Sequence, residues 1–503
     1  MLENRSFDHI FGFSPFTGQD AATHQQTTTD RPDPAVDTNT DTNTGKIYPV
    51  QPTADFSLKD LDVDPGHEFG DVQQQLAGAN GGFVNNYAAQ KGVVDPGRVM
   101  NCFSPAQLPV LNQLAAEFAV CDSWFSSLPG PTWPNRFFMM AATSGGLTKS
   151  PTTGDIIKAT ALQGYSFQHG NIFDALDKQE VPWCIVEGDM FPVSFALKGM
   201  DANLARGRFV SMKDFAARLA DPGFNEQFIF IEPQYGTHKF DVTGPGDFSG
   251  GNSMHPLDDV RKGEQLVKQV YETIRNVPAV WANSVLLITF DEHGGFYDHV
   301  QPGATTPPGD NPINTAPGQQ PFDFNQFGVR VPAIIVSPLI AKGIIDHTVY
   351  DHTSALATLE RLVNVPPLTQ RDAAAKDFSH LFTLTTPRTD TPTMLTNPVI
   401  APTETTAALI ATPEDTQETL TAELAHLESP ATPAPEAEAS GPQVGFAYVG
   451  LLRALSQAKD PSEQELWKKE FSAIRTRRDA ARFMTRAQLK VRYNVYSPPK
   501  VML

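Results

Sequence analysis

The segment Phe290-Asp291-Glu292-His293-Gly294-Gly295-Phe296-Tyr297-Asp298-His299 places two adjacent carboxylates and two glycines directly after the apolar run Val285-Leu286-Leu287-Ile288-Thr289. Such a run reads as a buried strand, and the crevice beyond strand ends is where ligands bind in an open α/β sheet. Asp and Gly are also the commonest turn residues, so the segment taken alone is as readily a charged turn as a metal site. A second source of hard oxygen ligands stands at the start of the chain, where Glu3-Asn4-Arg5-Ser6-Phe7-Asp8-His9 sets a carboxylate beside a carboxamide, before a helical spacing of Phe7, Ile10 and Phe11. Glu3, Asn4, Asp291 and Glu292 together would hold one divalent cation, with Ca²⁺, Mg²⁺ or Mn²⁺ favoured and Zn²⁺ admitted. On local sequence alone Asn4 is a helix N-cap.

A third segment, Pro129-Gly130-Pro131-Thr132-Trp133-Pro134-Asn135-Arg136, puts a hydroxyl at a helix start, with Pro134 in a first-turn position. Thr132 there is either a cap or a nucleophile. Backbone N–H groups and the helix dipole favour an anion at that end, and a nearby divalent ion favours the alkoxide.

These three segments, in this order and so widely separated, resemble the bacterial and plant phosphoesterase family that contains the phosphatidylcholine-type and non-specific phospholipases C and a group of acid phosphatases. The elements are Glu3 to His9, Pro131-Thr132-x-Pro134-Asn135-Arg136, and Asp291 to His299, and the likeness runs over roughly residues 1–365. It implies an alkaline phosphatase-like fold and a phosphothreonine intermediate on Thr132, with Glu3, Asn4, Asp291 and Glu292 joined by the Thr132 oxygen at the metal. His67 is implied as the proton donor to the leaving oxygen, with His255, Asn135 and Arg136 stabilising the phosphoryl oxygens. His299 and His352 are weaker candidates, His299 for orienting the Asp291 loop. The spacing Thr132-x-Pro134-x-Arg136 is also similar to a sulfatase signature, but threonine cannot form the aldehyde that signature serves. Phosphoryl transfer is therefore expected, as a phospholipase C-type diesterase; the alternatives are an acid phosphatase and an inactive metal-binding or partner-binding protein.

Strand-like runs at Trp183–Val186, Phe228–Ile231, Val285–Phe290 and Ala333–Val336 alternate with helical spacings at Val110–Phe118 and Val260–Ile274. That alternation predicts an α/β fold, and the resemblance implies a largely parallel central sheet flanked by helices. The family reaches its Glu-Asn pair at the end of an apolar strand, so the first strand is expected to be truncated here and Glu3 to sit at a fraying end. His255 is expected to precede a helix carrying Pro256 in its first turn. Glu187, Asp189 and Glu232 are expected to cap the segments after their strands, and Tyr235–Asn252 to form a long loop over the site.

With 38 Lys and Arg against 57 Asp and Glu the formal net charge is -19, which disfavours nucleic acid and an anionic membrane as partners. The expected partner is a phosphate ester, a phospholipid among the candidates; oligomeric state is open. No apolar run is long enough to span a membrane. No secretory signal is present, so location is open: secreted or periplasmic if the start is truncated, otherwise cytoplasmic. Cys102, Cys121 and Cys184 fit reduced core thiols. Residues 1–382 are expected to form the catalytic domain, 383–443 a Thr, Pro, Ala and Glu-rich linker with a short helix near Glu418–Leu427, and 444–503 a helical tail, solvated by preference, the alternative being that it docks on the catalytic domain or on another chain.

Overall fold

Alternation along one strand divides the interior in two. In Trp183–Glu187, Trp183 and Ile185 join one buried apolar cluster, while Cys184 and Val186 join the other. A strand's side chains point to opposite faces in turn, so apolar residues at every position demand cover on both. The computed structural model describes residues 1–236, 250–310, 321–400, 416–429 and 437–495. Residues 237–249 of the loop expected over Tyr235–Asn252, and 401–415 and 430–436 of the expected linker, lie outside the described residues, while the linker's expected short helix is found at Gln417–Glu428.

The strands are β1 (Thr17–Asp20), β2 (Gln26–Thr28), β3 (Thr38–Thr40), β4 (Ile47–Pro49), β5 (Ala119–Cys121), β6 (Trp124–Phe125), β7 (Trp183–Glu187), β8 (Phe209–Ser211), β9 (Phe228–Glu232), β10 (Leu286–Thr289), β11 (Ala333–Val336), β12 (Ile344–Asp346) and β13 (Tyr350–Asp351). A six-stranded sheet has the order β10-β11-β5-β12-β1-β2, and a three-stranded sheet the order β8-β7-β9. β10, β5, β12 and β1 run one way, with β11 and β2 against them, and β8, β7 and β9 are parallel. The fold is the expected α/β class, with a mixed, mostly parallel sheet. Helices Phe7–Phe11, Pro109–Glu117 and Val260–Arg275 bury residues on one side, and Thr132–Ala141 and Ile172–Lys178 on the other.

No strand precedes Phe7 among the described residues, but the chain start is not frayed. Leu2 bridges in parallel to Phe290 just past β10, and the Met1 amino group donates to the Ile231 carbonyl of β9 at 3.2 Å. These two residues therefore lie between the two sheets and join them. Burial pushes the Met1 ammonium down to about 5. Glu3 is buried, its N–H donating to the Ser253 carbonyl at 2.8 Å.

The C-terminal helices correct the expectation of a solvated tail. Val444, Phe446, Ala447, Tyr448, Trp467, Phe471 and Phe483 are all buried in the cluster that holds Trp133 and Phe137. A Cβ on Gly445 would lie 2.5 Å from the Trp133 indole, so the helix Gly441–Ser456 meets the Thr132 helix through a residue without a side chain. Phe446 packs edge-on to Trp133 at 5.8 Å and tilted against Tyr235 at 4.9 Å between ring centroids. The three cysteines are free and buried, and no described helix is long and apolar enough to cross a membrane.

Helix Val260–Arg275 also contributes the buried Glu264, whose carboxylate accepts the N–H of Leu111 at 2.8 Å and of Val110 at 3.3 Å, in the first turn of Pro109–Glu117. Burial raises Glu264 to about 8.

This packing has two measurable outcomes. Phe446→Ala should lower unfolding stability by about 3–5 kcal/mol in a urea titration, as a core aromatic does, against at most about 0.5 kcal/mol for a solvated one. Because the proton-bound form of Glu264 is favoured in the folded state, its contribution is whole below about pH 4.5 and is lost as pH rises through about 8. The urea midpoint of Glu264→Gln, which has no proton to lose, should therefore fall less between pH 5 and 8 than that of the unsubstituted chain.

Candidate active site

The helix Thr132–Ala141 starts directly after the second proline of Pro129-Gly130-Pro131, with Pro131 as N-cap and no side-chain cap. Thr132 is thus not capping. Its hydroxyl donates to Asn4 Oδ1 at 3.2 Å. Four residues on, and so on the same helix face, Arg136 is fully buried and donates through Nε to Asp291 Oδ2 at 2.9 Å and through Nη2 to the Leu2 carbonyl at 3.2 Å. Its Nη2 lies 3.8 Å from Glu3 Oε1 and its Nη1 3.8 Å from Glu232 Oε2. The pairing with Asp291 aligns Thr132 by fixing the far end of the first turn.

The Asp291 carboxylate also accepts the N–H of Asn4 at 3.0 Å and of Glu292 at 2.8 Å, both on Oδ1. Burial raises Asp291 to about 6, Arg136 pulling the other way. Asn4 holds this position in a left-handed conformation, φ 59°, which Asn tolerates better than most residues. It is not the helix cap: Ser6 is, its hydroxyl accepting from His9 N–H at 3.1 Å. Gly294, with φ 65°, meets the Asn4 backbone so closely that a Cβ would lie 2.7 Å from the Asn4 carbonyl carbon. Gly295, with φ 76°, similarly faces the Gly66 carbonyl of the His67 loop. The two glycines let the three segments close on one another.

Glu292 accepts from Gly294 N–H at 2.7 Å through Oε2, while its buried Oε1 has no hydrogen-bond partner. An unpartnered buried carboxylate oxygen suits a cation. Asn4, Thr132 and Glu292 therefore fit a hard divalent ion, and Asp291 keeps about one of a carboxylate's four lone-pair sites for it. Glu3 fits less well. Its carboxyl faces Arg136 and Ser253 and is pushed well up by burial, and the Glu3, Asp291 and Glu292 oxygens form no close-set triad among the described residues.

His67 lies beside this group, Nε2 being 3.4 Å from the Asn4 amide nitrogen and Nδ1 2.8 Å from the Pro65 carbonyl. Burial opposes its charge, but Glu292 and Asp64 outweigh that and raise it to about 10. His255 stands with its ring centroid 6.2 Å from that of His67 and its Nε2 3.4 Å from Asp64 Oδ2; burial holds it neutral. It does not open a helix, because the chain turns at His255–Asp258 and the helix begins at Val260, capped by Asp259. Arg5 fixes that turn by donating to the carbonyls of Met254 at 2.7 Å and His255 at 3.2 Å.

Asn135 and Arg136 are taken up by contacts within the protein. The buried Asn135 amide accepts from Ser127 and Leu128 N–H and donates to the carbonyls of Leu128, Gly130 and Pro131, so it shapes the loop before Thr132. Support of the Asp291 loop belongs to His352 rather than His299. Trp124 Nε1 donates to His352 Nδ1 at 3.4 Å, which leaves Nε2–H to donate to the Asp291 carbonyl at 2.6 Å. His299 instead serves a separate buried network with Asp8 and Arg330. Glu232 caps not the segment after its own strand but the one after β7, accepting from Val193 and Ser194 N–H; Asp189 accepts from Phe191 N–H, and Glu187 pairs with Arg453. Asp64 carries no role expected from sequence, although it stands three residues from His67.

The sequence matches the profile of the Phosphoesterase family over residues 1–366. Among curated proteins it is 36% identical over 435 residues to non-specific phospholipase C6 of Arabidopsis thaliana, covering 80% of this chain and 74% of that protein. Non-specific phospholipase C1 of the same plant is 35% identical, covering 78% and 72%. Phospholipase C B of Mycobacterium tuberculosis (strain CDC 1551 / Oshkosh) is 28% identical, covering 77% of each. Among solved structures, a protein in the alkaline phosphatase superfamily from Vibrio parahaemolyticus aligns over 54% of this chain and 64% of its own at 16% identity, with a TM-score of 0.31, too distant to carry an argument.

Gly294→Ala tests the close approach at the centre of this site. A Cβ at a positive φ against the Asn4 backbone should displace Asn4 from Thr132 and lower turnover about a hundredfold, with far-ultraviolet circular dichroism unchanged.

Proposed function

Because the chain belongs to the Phosphoesterase family and is a phosphoric ester hydrolase, we propose that its reaction is phospholipase C-type cleavage of a phosphodiester through a phosphothreonine intermediate. The observation that carries this reading is the Thr132 hydroxyl on Asn4 Oδ1, at the N-terminus of a ten-residue helix, together with a buried, unpartnered oxygen on Glu292. The names of the curated relatives, plant and mycobacterial phospholipases C, support the diester.

A divalent ion held by Asn4, Asp291 and Glu292 would polarise the phosphoryl oxygens and favour the alkoxide of Thr132. Thr132 attacks phosphorus, and the bond to the alcohol breaks on the opposite side. His67, charged through Glu292 and Asp64, gives its proton to the departing oxygen. The neutral imidazole then takes a proton from water as it attacks the phosphothreonine, releasing the phosphomonoester and restoring Thr132. His255, held neutral by burial, donates its single N–H to a nonbridging oxygen. Arg136 and Asn135 act at one remove, by aligning Thr132, Asp291 and the preceding loop.

The test is hydrolysis of p-nitrophenyl phosphorylcholine beside p-nitrophenyl phosphate, with divalent ions added and then chelated. Faster turnover of the diester is expected, falling about a thousandfold or more in Thr132→Ala and on chelation. Preference for the monoester would point to an acid phosphatase. Unchanged rates in Thr132→Ala would overturn the nucleophile, and metal uptake without turnover of either ester would favour a binding protein.

A further inference from the structure

Asp64, His67 and His255 each offer one ligand atom, and those atoms lie within 4.8 Å of one another. Asp64 Oδ2 and His255 Nε2 are 3.4 Å apart. Metal–ligand bonds of about 2.0–2.1 Å in a tetrahedron put neighbouring ligand atoms about 3.3 Å apart, so this spacing needs little adjustment. The two imidazoles are nearly perpendicular, at 81°, and can address one point from two sides. His67 is already held through its other nitrogen, Nδ1 at 2.8 Å from the Pro65 carbonyl, the arrangement that orients ligating histidines.

The loop bearing Asp64 and His67 is preformed. Gln75 donates to the Gly66 carbonyl at 2.6 Å, Tyr87 to the Val63 carbonyl at 2.7 Å, and Gly295 packs against Pro65 and Gly66. One carboxylate with two imidazoles is a borderline-soft set, unlike the all-oxygen set of Asn4, Asp291, Glu292 and Thr132, and suits zinc-class ions rather than Mg²⁺ or Ca²⁺.

We propose that Asp64, His67 and His255 form a second cation site, selective for zinc-class ions, whose occupancy inhibits the enzyme. The inhibitory half rests on the proposed phosphodiesterase mechanism: ring nitrogens bound to an ion can neither protonate a leaving oxygen nor hold a phosphoryl oxygen.

The experiment is zinc titration of the full, metal-stripped chain in excess Mg²⁺, with bound zinc counted after equilibrium dialysis and no substrate present. Asp64→Asn and His255→Gln should each bind one zinc fewer per chain than the unsubstituted protein, and turnover of the preferred ester by the latter should fall in step with that zinc. Equal stoichiometry in all three overturns the site. Zinc uptake that depends on Asp64 but leaves turnover unchanged or raised overturns the inhibition. Since zinc is counted without substrate, failure of the site and failure of the phosphodiesterase reading give different results.

Discussion

A guanidinium with no access to water must find its counter-charge within the protein, and at Arg136 carboxylates from three distant parts of the chain gather to supply it. Asp291 is in direct contact at 2.9 Å, while Glu3 and Glu232 stand at 3.8 Å. An unpaired buried charge costs several kcal/mol, roughly 3–5 when one partner is removed, so the chain start, the end of β9, the end of β10 and the helix Thr132–Ala141 are bound into one arrangement. The Tyr235 ring lies 5.2 Å from the same guanidinium and donates its hydroxyl to Glu232 at 2.6 Å, closing the surround. Thr132 inherits its place from this pairing, because a helix transmits position rigidly over a single turn.

The long, strongly patterned elements were legible in the sequence. Ala333–Val336 is found where expected, Leu286–Thr289 within its apolar run, and the helices Pro109–Glu117 and Val260–Arg275 on their spacings. Strands such as Ala119–Cys121 and Ile344–Asp346 were not, because three residues give periodicity nothing to repeat. Thr17–Asp20 is nearly all polar and is paired by neighbours more than three hundred residues away in β12. The tail reads as solvated because a Pro- and Ala-rich stretch precedes it; burial of Phe446 and Trp467 depends on partners near Trp133 that no local window contains.

Within the site, the motif residues were legible but their duties were not. Thr132, Asn4, His67, Asp291 and Glu292 do come together. Arg136 and Asn135 look from sequence like phosphate ligands, since a guanidinium and an amide after a nucleophile suit an anion; what the sequence hides is that both are fully buried. The histidines divide the same way. His352 and His299 are alike as letters, yet one meets the Asp291 carbonyl and the other Asp8. Asp64 was within reach, as an acid beside a histidine, but its partner His255 lies far along the chain.

The joints made by residues 2–5 have a consequence in time. Leu2 pairs beside Phe290, Arg5 N–H bonds to the Glu292 carbonyl, and Trp133 is covered by Phe446. During vectorial synthesis Leu2 and Arg5 must wait for partners made nearly three hundred residues later, and the Thr132 helix waits longer still for Phe446. Contacts so distant in sequence form slowly and late. A nascent chain therefore cannot cover Trp133 with Phe446 until the helix bearing Phe446 has left the ribosome, so the packing around the Thr132 helix is completed late.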